Sequence, residues 1–384
     1  MVNSIRKFGR WGKRSYLRTR LALSGSAGKK YHNERLNWRE FWHGRIRLNS
    51  YPLFIQLGTN WSCNLRCNFC RREIEPYKSQ VRAIPSSERE ISPAVLEAMK
   101  EILPYAISMN LTPLGEPLMY SGLDDILSIH GKLNCRNLAL TTNGQLLSEE
   151  MSKKLVRAGT RELFISVDTH DPDRYRKMRI GGELEQLIRG VDNVRRWKEQ
   201  WNREYPEITF CSTFMRSNIE DLPGLIELAS RHGVSKIRVQ LMEPETPDLE
   251  PEMLWHYVPL TARVIRESLE ISKKAGVPLD LTLALKNLLS SANGDNSENS
   301  PLQKEQNMRG KALVEKCRFP WNSIMVDTDG EVRPCCWAGI RFGNLNTQSF
   351  DEIWNGRAAI GMRKQFLKNV IPQGCKNKHC RVDL

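Results

Sequence analysis

The most specific chemistry in the sequence is carried by three thiols, Cys63-Asn-Leu-Arg-Cys67-Asn-Phe-Cys70. The segment has neither a fourth Cys nor a His, whereas structural zinc wants four closed protein ligands. An iron–sulfur cube normally takes four thiolates, so three leave one iron open to a small molecule. A second group, Cys317, Cys335, Cys375 and Cys380, lies at the other end of the chain. An Asp329-Gly330 hairpin would bring Cys317 and Cys335 together, and a helix over 350–369 would return the last pair to them. Four converging thiolates make a closed site for zinc or for iron–sulfur, and spacing does not tell the two apart. Cys336 is read as a bystander, because adjacent thiols strain to reach one cube, and His379 as a surface residue. Ten cysteines clustered in this way point to metal rather than disulfides.

Such groups must be held by a scaffold, and from residue 51 onward short β-rich runs alternate with amphipathic helices. Strands are predicted at Leu53–Gly58, Ala106–Leu111, Asn137–Thr141, Leu163–Val167, Ile208–Phe214 and Lys236–Leu241, with a short seventh near 278–284. Helices are predicted at Pro93–Leu103 after a Ser92 cap, Glu149–Ala158 after Ser148, Leu184–Trp201, Asp221–Arg231 after Asn218, and about 255–275. Six β/α units in sequence mean an α/β fold with a parallel sheet, open or curled into a partial barrel. Cys63 then falls in the loop after the first strand, at the end where such folds gather their chemistry. The expected division is a basic extension over 1–50, the β/α unit over 51–289, a polar linker over 290–309 and a small cysteine-bearing α+β unit over 310–384.

Composition narrows the class. With 384 residues, 40% hydrophobic, ten Trp and eleven Phe, the chain can bury a sizeable core, which excludes disorder as its main state. No run approaches the roughly 20 apolar residues of a membrane span, and Leu21-Ala22-Leu23 is too short for a secretory signal, so a cytoplasmic location is expected. Most of the net charge of +14 sits in residues 1–47, which hold thirteen Lys and Arg against Glu34 and Glu40. Ile5, Phe8, Trp11, Tyr16, Leu17 and Leu21 fall on one helical face there, which makes an anionic membrane surface a candidate partner and the inner membrane surface a candidate peripheral location. A solvated arm packed outside the domain is the plainer alternative.

Further motifs agree in order with the first cysteine group. Gly115-Glu116-Pro117-Leu118 follows the second strand, Thr141-Thr142-Asn143-Gly144 the third, and Ser166-Val167-Asp168 ends the fourth, with Arg179 beyond it. Together with Cys-x3-Cys-x-Phe-Cys, these make residues 52–245 resemble the radical S-adenosylmethionine (SAM) superfamily. Leu114 departs from that family's Gly-Gly-Glu-Pro pattern. The spacing Cys317-x12-Gly330-x4-Cys335, with Pro334-Cys335-Cys336 and Phe350–Asn355, resembles the auxiliary-cluster extension called SPASM, or its shorter form called twitch. Five cysteines in this tail favour the shorter form.

The resemblance implies a partial (β/α)6 barrel, a [4Fe-4S] cluster with one open iron on Cys63, Cys67 and Cys70, SAM, and an auxiliary [4Fe-4S] cluster on Cys317, Cys335, Cys375 and Cys380. Phe69, Gly115, Glu116, Pro117, Asn143, Ser166, Asp168 and Arg179 become SAM-binding candidates, with Glu116 expected at the SAM amino group. An external one-electron donor such as flavodoxin or ferredoxin is implied as well. The expected activity is an oxidoreductase that cleaves SAM and abstracts hydrogen from an unactivated C–H bond, dehydrogenating or epimerising a carbohydrate-like or other small metabolite. The alternatives are a ribosomal-peptide maturase and a non-catalytic iron–sulfur protein. Cys211, sharing a strand face with Thr209 and Thr213, is a candidate hydrogen donor, with a buried structural thiol as the plainer reading. Cys135 is expected to be structural, and Glu243, Glu245, His256 and Arg318 to be surface residues.

Overall fold

The computed structural model describes residues 25–133, 137–244, 246–282, 285–286, 288–289 and 317–375. The linker, Cys135, Glu245, His379, Cys380 and the apolar face Ile5 to Leu21 lie outside them. The chain starts with helix α1 (Gly25–Trp42), then β1 (Phe54–Leu57) and β2 (Arg66–Cys67). Next come α2 (Pro93–Ile102), β3 (Ser108–Leu111), α3 (Leu123–Leu133), β4 (Asn137–Thr142), α4 (Glu149–Arg157) and β5 (Glu162–Ser166). They are followed by α5 (Pro172–Met178), β6 (Arg179–Ile180), α6 (Leu184–Gln200), β7 (Glu207–Phe214), α7 (Leu222–Arg231), β8 (Lys236–Leu241), α8 (Val258–Ala275) and β9 (Leu279–Leu281). The last elements are β10 (Ser323–Val326), β11 (Glu331–Arg333), β12 (Gly343–Asn344), α9 (Phe350–Trp354) and α10 (Arg357–Leu367).

Ten strands form one sheet in the order β12-β11-β10-β1-β3-β4-β5-β7-β8-β9, with β9 and β12 as its edges, so the barrel is not closed. From β10 through β1 to β9 all neighbours pair in parallel. The six predicted strands are therefore present, and so is the short seventh. Alternate residues such as Ile165, Phe210 and Val239 are fully buried against the helices, which is why the strands read as apolar at every second position. The residues between them, among them Gln56, Ser166, Cys211, Thr213 and Arg238, lie on the opposite, polar and partly open face.

Three features were not predicted. First, the C-terminal hairpin joins the main sheet: β10 pairs in parallel with β1, Phe54 opposite Ser323, and β11 returns antiparallel with Gly330 at φ +83° in the turn. Second, the helix expected over 350–369 is broken at Asn355-Gly356. The Asn355 amide binds both the N–H and the C=O of Leu48, and a Cβ on Gly356 would meet the Glu352 carbonyl at 2.3 Å.

Third, the described part of the basic arm packs on the domain, as the plainer alternative has it, but through polar contacts. Helix α1 is docked through a buried polar stripe, Lys30, Asn33, Asn37 and Glu40. Asn33 pairs with the Tyr51 backbone, and Asn37 donates to the Trp321 carbonyl (2.7 Å) and to Ser50 (3.0 Å). Glu40 accepts from the Asn49 and Ser50 N–H groups and from the Ser50 hydroxyl. No described helix is long and apolar enough to cross a membrane.

Candidate active site

The loop after β1 carries Cys63, Cys67 and Cys70, and each neighbouring motif ties it down. Gly115 N–H donates to the Asn60 carbonyl and Glu116 N–H to that of Ser62. A Cβ on Gly115 would stand 2.2 Å from the Ser62 oxygen, so only glycine allows this approach. Asn143 donates to Asn64 Oδ1 (2.8 Å) and reaches Cys63 Sγ at 3.7 Å. Strand β2 pairs antiparallel with β6, placing Cys67 opposite Arg179. Arg179 in turn reaches Cys67 Sγ at 3.8 Å, with Phe69 beside its guanidinium. Phe69 also packs on a cluster of Met178, Met215 and Met242.

Two carboxylates expected at SAM are engaged within the protein. Glu116 accepts from Thr142 Oγ1 (2.6 Å), Asn143 N (2.7 Å) and Leu118 N (3.2 Å), joining the ends of β3 and β4. Burial nevertheless pushes its pKa up to about 7. Asp168 holds Arg179 in a buried ion pair (2.6 and 2.8 Å) and accepts from Thr213 N (2.8 Å). Burial opposes the Arg179 charge, but Asp168 raises its pKa above the ordinary value. Asn218 caps no helix by its side chain; it donates to the Asp168 and Thr213 carbonyls and fixes that corner. Pro117 is buried in the turn after Glu116. Ser166 lies on the open face, in register with Cys211.

Cys211 does share the open face, as the alternation of its strand predicts, and it keeps partial exposure. Burial pushes its thiol up to about 12, so it carries its hydrogen at neutral pH. In the second group, Cys317 and Cys375 are buried and belong to the main core, Cys335 is half-buried, and Cys336 is exposed. Gly339 N–H binds the Gly374 carbonyl, which joins the Cys335 loop to the Cys375 turn. Cys317 precedes β10, and Cys335 follows the antiparallel return, so this group lies toward the start of β1 and the first group beyond its end.

Sequence profiles for the radical SAM superfamily and for the SPASM iron–sulfur cluster-binding domain match residues 62–229 and 317–381. The chain is a radical SAM enzyme with a SPASM extension. It is 28% identical over 221 residues to a probable GTP 3′,8-cyclase of Methanococcus maripaludis, covering 58% of this chain and 66% of that one. An AdoMet-dependent heme synthase of Methanosarcina barkeri is 23% identical over 318 residues, 80% of this chain and 84% of the other. The crystal structure of Streptococcus suis SuiB bound to its precursor peptide SuiA superposes with a TM-score of 0.57 at 15% identity, covering 88% of this chain and 72% of that one. That likeness is one of fold.

A radical SAM and SPASM chain implies a [4Fe-4S] cluster with an open iron, SAM and auxiliary cluster binding, and the thiols fit such groups. Among the described residues no three Cys, His, Asp or Glu converge on a single ion. A cube offers each thiolate its own iron, so its ligands stand farther apart than those of one ion. Burial raises the Cys63 and Cys335 thiols and pushes Cys67 up to about 11. Thiols raised in this way hold their protons at neutral pH and would release them on binding a cluster.

Two site residues carried no sequence signal: Asn60, whose amide donates to the Ser62 and Glu116 carbonyls, and Asn64, which accepts from Asn143. His256 pairs with Glu250, and Arg318 lies over the rings of Trp38, Phe41 and Trp42; neither belongs to the site.

Proposed function

We propose that the protein uses SAM to abstract a hydrogen atom from a small polar metabolite held over the open face of the sheet, with dehydrogenation as the net reaction and SAM, which ends as methionine and 5′-deoxyadenosine, as its two-electron oxidant. The observation that carries this reading is the continuity of that face with the first cysteine loop: Thr213 on β7 binds Asp168, which binds Arg179, which reaches Cys67. A cluster held by Cys63, Cys67 and Cys70 would supply SAM with one electron from a flavodoxin- or ferredoxin-like donor, which is the chemistry that makes hydrogen abstraction possible. The chain's own part is positional. The Gly115–Pro117 turn and Asn143 fix the loop, Asp168 holds Arg179 against Cys67, and the methionine cluster behind Phe69 keeps water away.

Cys211 favours a second reading, epimerisation. A protonated thiol on the substrate side can return a hydrogen atom to a substrate radical; the sulfur radical left behind is then reduced by one electron and one proton from the same external donor and solvent. The relatives named for GTP cyclisation and heme synthesis act on small molecules, which supports such a substrate over a peptide. Reconstituted protein should form 5′-deoxyadenosine faster with the ultrafiltered small-molecule fraction of a cell extract than with its peptide fraction. The reverse order would favour the maturase. In D₂O, deuterium at an inverted carbon, lost in Cys211→Ala, marks epimerisation; a product two electrons more oxidised and free of solvent deuterium marks dehydrogenation.

A further inference from the structure

The open face carries a cation whose binding capacity is only partly used. Ser166, Cys211, Arg238 and Asp280 stand in register across β5, β7, β8 and β9, and residues level with one another in a parallel sheet point to the same side. One step toward the strand starts, Lys236 is neutralised by Glu162 at 2.9 Å, and Thr209 donates to that same carboxylate. One step toward the cluster lie Thr213 and Asp168. Arg238 is held on two sides: its Nε donates to Asp280 at 3.1 Å, and its guanidinium lies 4.9 Å from the centre of the Phe164 ring. Its two Nη groups make no hydrogen bond to any described residue, and its side chain is 34% exposed.

From this we infer that Arg238 is the anion-binding residue of the substrate site, and that the substrate carries a carboxylate or a phosphate. The inference rests on the small-metabolite reading above. A guanidinium fixed by an ion pair and a ring face presents its remaining edge with little entropy left to lose, and that edge matches an oxyanion bidentately. Cys211 stands in register on the adjacent strand, so an anion held at Arg238 lies on the same face as the thiol. The inference thus specifies substrate class and orientation together: a small acid or phosphate ester that reacts near, not at, its charged group.

The test is isothermal titration of the cluster-reconstituted, SAM-bound protein with inorganic phosphate and, separately, with acetate. At least one anion should bind the wild type, and which one identifies the substrate's acidic group. Arg238→Gln should weaken that binding about tenfold or more, and Arg238→Lys, which keeps the charge but not the fork, by a smaller factor. If Arg238→Gln misfolds by circular dichroism, the lysine variant decides, with a loss of about threefold or more as the supporting result. Wild-type affinity in the folded variant, or no binding of either anion to the wild type, overturns the assignment. Failure of the underlying activity would show differently, as a wild type that forms no 5′-deoxyadenosine with dithionite.

Discussion

Replacing Asp168 by Ala strands the Arg179 guanidinium in the interior. Side-chain exposure is 8% for Arg179 and 1% for Asp168, so solvent cannot take over the lost role. What remains beside the cation is the Cys67 sulfur at 3.8 Å and the Phe69 ring, and the Thr213 N–H loses its acceptor. Breaking a buried pair from one side costs about 3–5 kcal/mol, a large part of the roughly 5–15 kcal/mol that holds a typical protein folded. At about 1.4 kcal/mol per decade, the folded-to-unfolded ratio should fall by a factor between about 150 and 4,000. Urea denaturation of the metal-free chain, followed by far-UV circular dichroism, measures it. Removing both charges in Asp168→Ala/Arg179→Met leaves no stranded ion, so the double variant should be more stable than Asp168→Ala alone. A single-variant cost below about 1 kcal/mol, or a double variant that simply sums the two losses, would mean that Arg179 is not stranded by the loss of Asp168.

Gly115→Ala should prevent stable loading of the first cluster, read as iron per chain, because its Cβ would displace the Ser62 backbone; Gly131→Ala, in α3 with open space around it, should add about 0.5–1 kcal/mol of stability. Burial raises Glu116 from 4.5 to about 7, so the folded chain holds this proton more tightly than the unfolded one. The resulting stabilisation is present below about pH 4.5 and lost as pH rises through about 7, and wild type should lose about 3 kcal/mol relative to Glu116→Gln between pH 4.5 and 8. Parallel pH profiles for the two proteins would contradict that. Asn37→Ala should cost about 1–3 kcal/mol by leaving the Trp321 carbonyl without its donor, a loss visible in the thermal midpoint.

The strands and most helices were legible because one face of each packs on a single apolar core. Lys236–Leu241 alternates strictly, and its predicted and observed limits coincide. Helix α1 was not legible, since the stripe that docks it is Lys30, Asn33, Asn37 and Glu40, and a polar stripe gives no hydrophobic period. The β1–β10 pairing joins residues some 270 positions apart, and no local pattern encodes such a partner. In the site, the cysteines, the Gly115 turn and the side of Cys211 could be read from spacing and alternation. The engagement of Glu116 and Asp168 with protein donors could not, because it depends on which strand ends meet. Asn218 shows the same limit: its sequence context is that of a helix cap, while its amide is spent on the Asp168 corner.

On this proposal Cys63, Cys67 and Cys70 hold a cluster with an iron open to SAM, separate from the C-terminal group. Anaerobically reconstituted protein with dithionite and SAM should release 5′-deoxyadenosine. The Cys63→Ala/Cys67→Ala/Cys70→Ala variant should release none while still binding about four iron at the second group. Persistent 5′-deoxyadenosine from the triple variant, or none from the wild type, would mean that these three thiols do not hold the SAM-cleaving cluster.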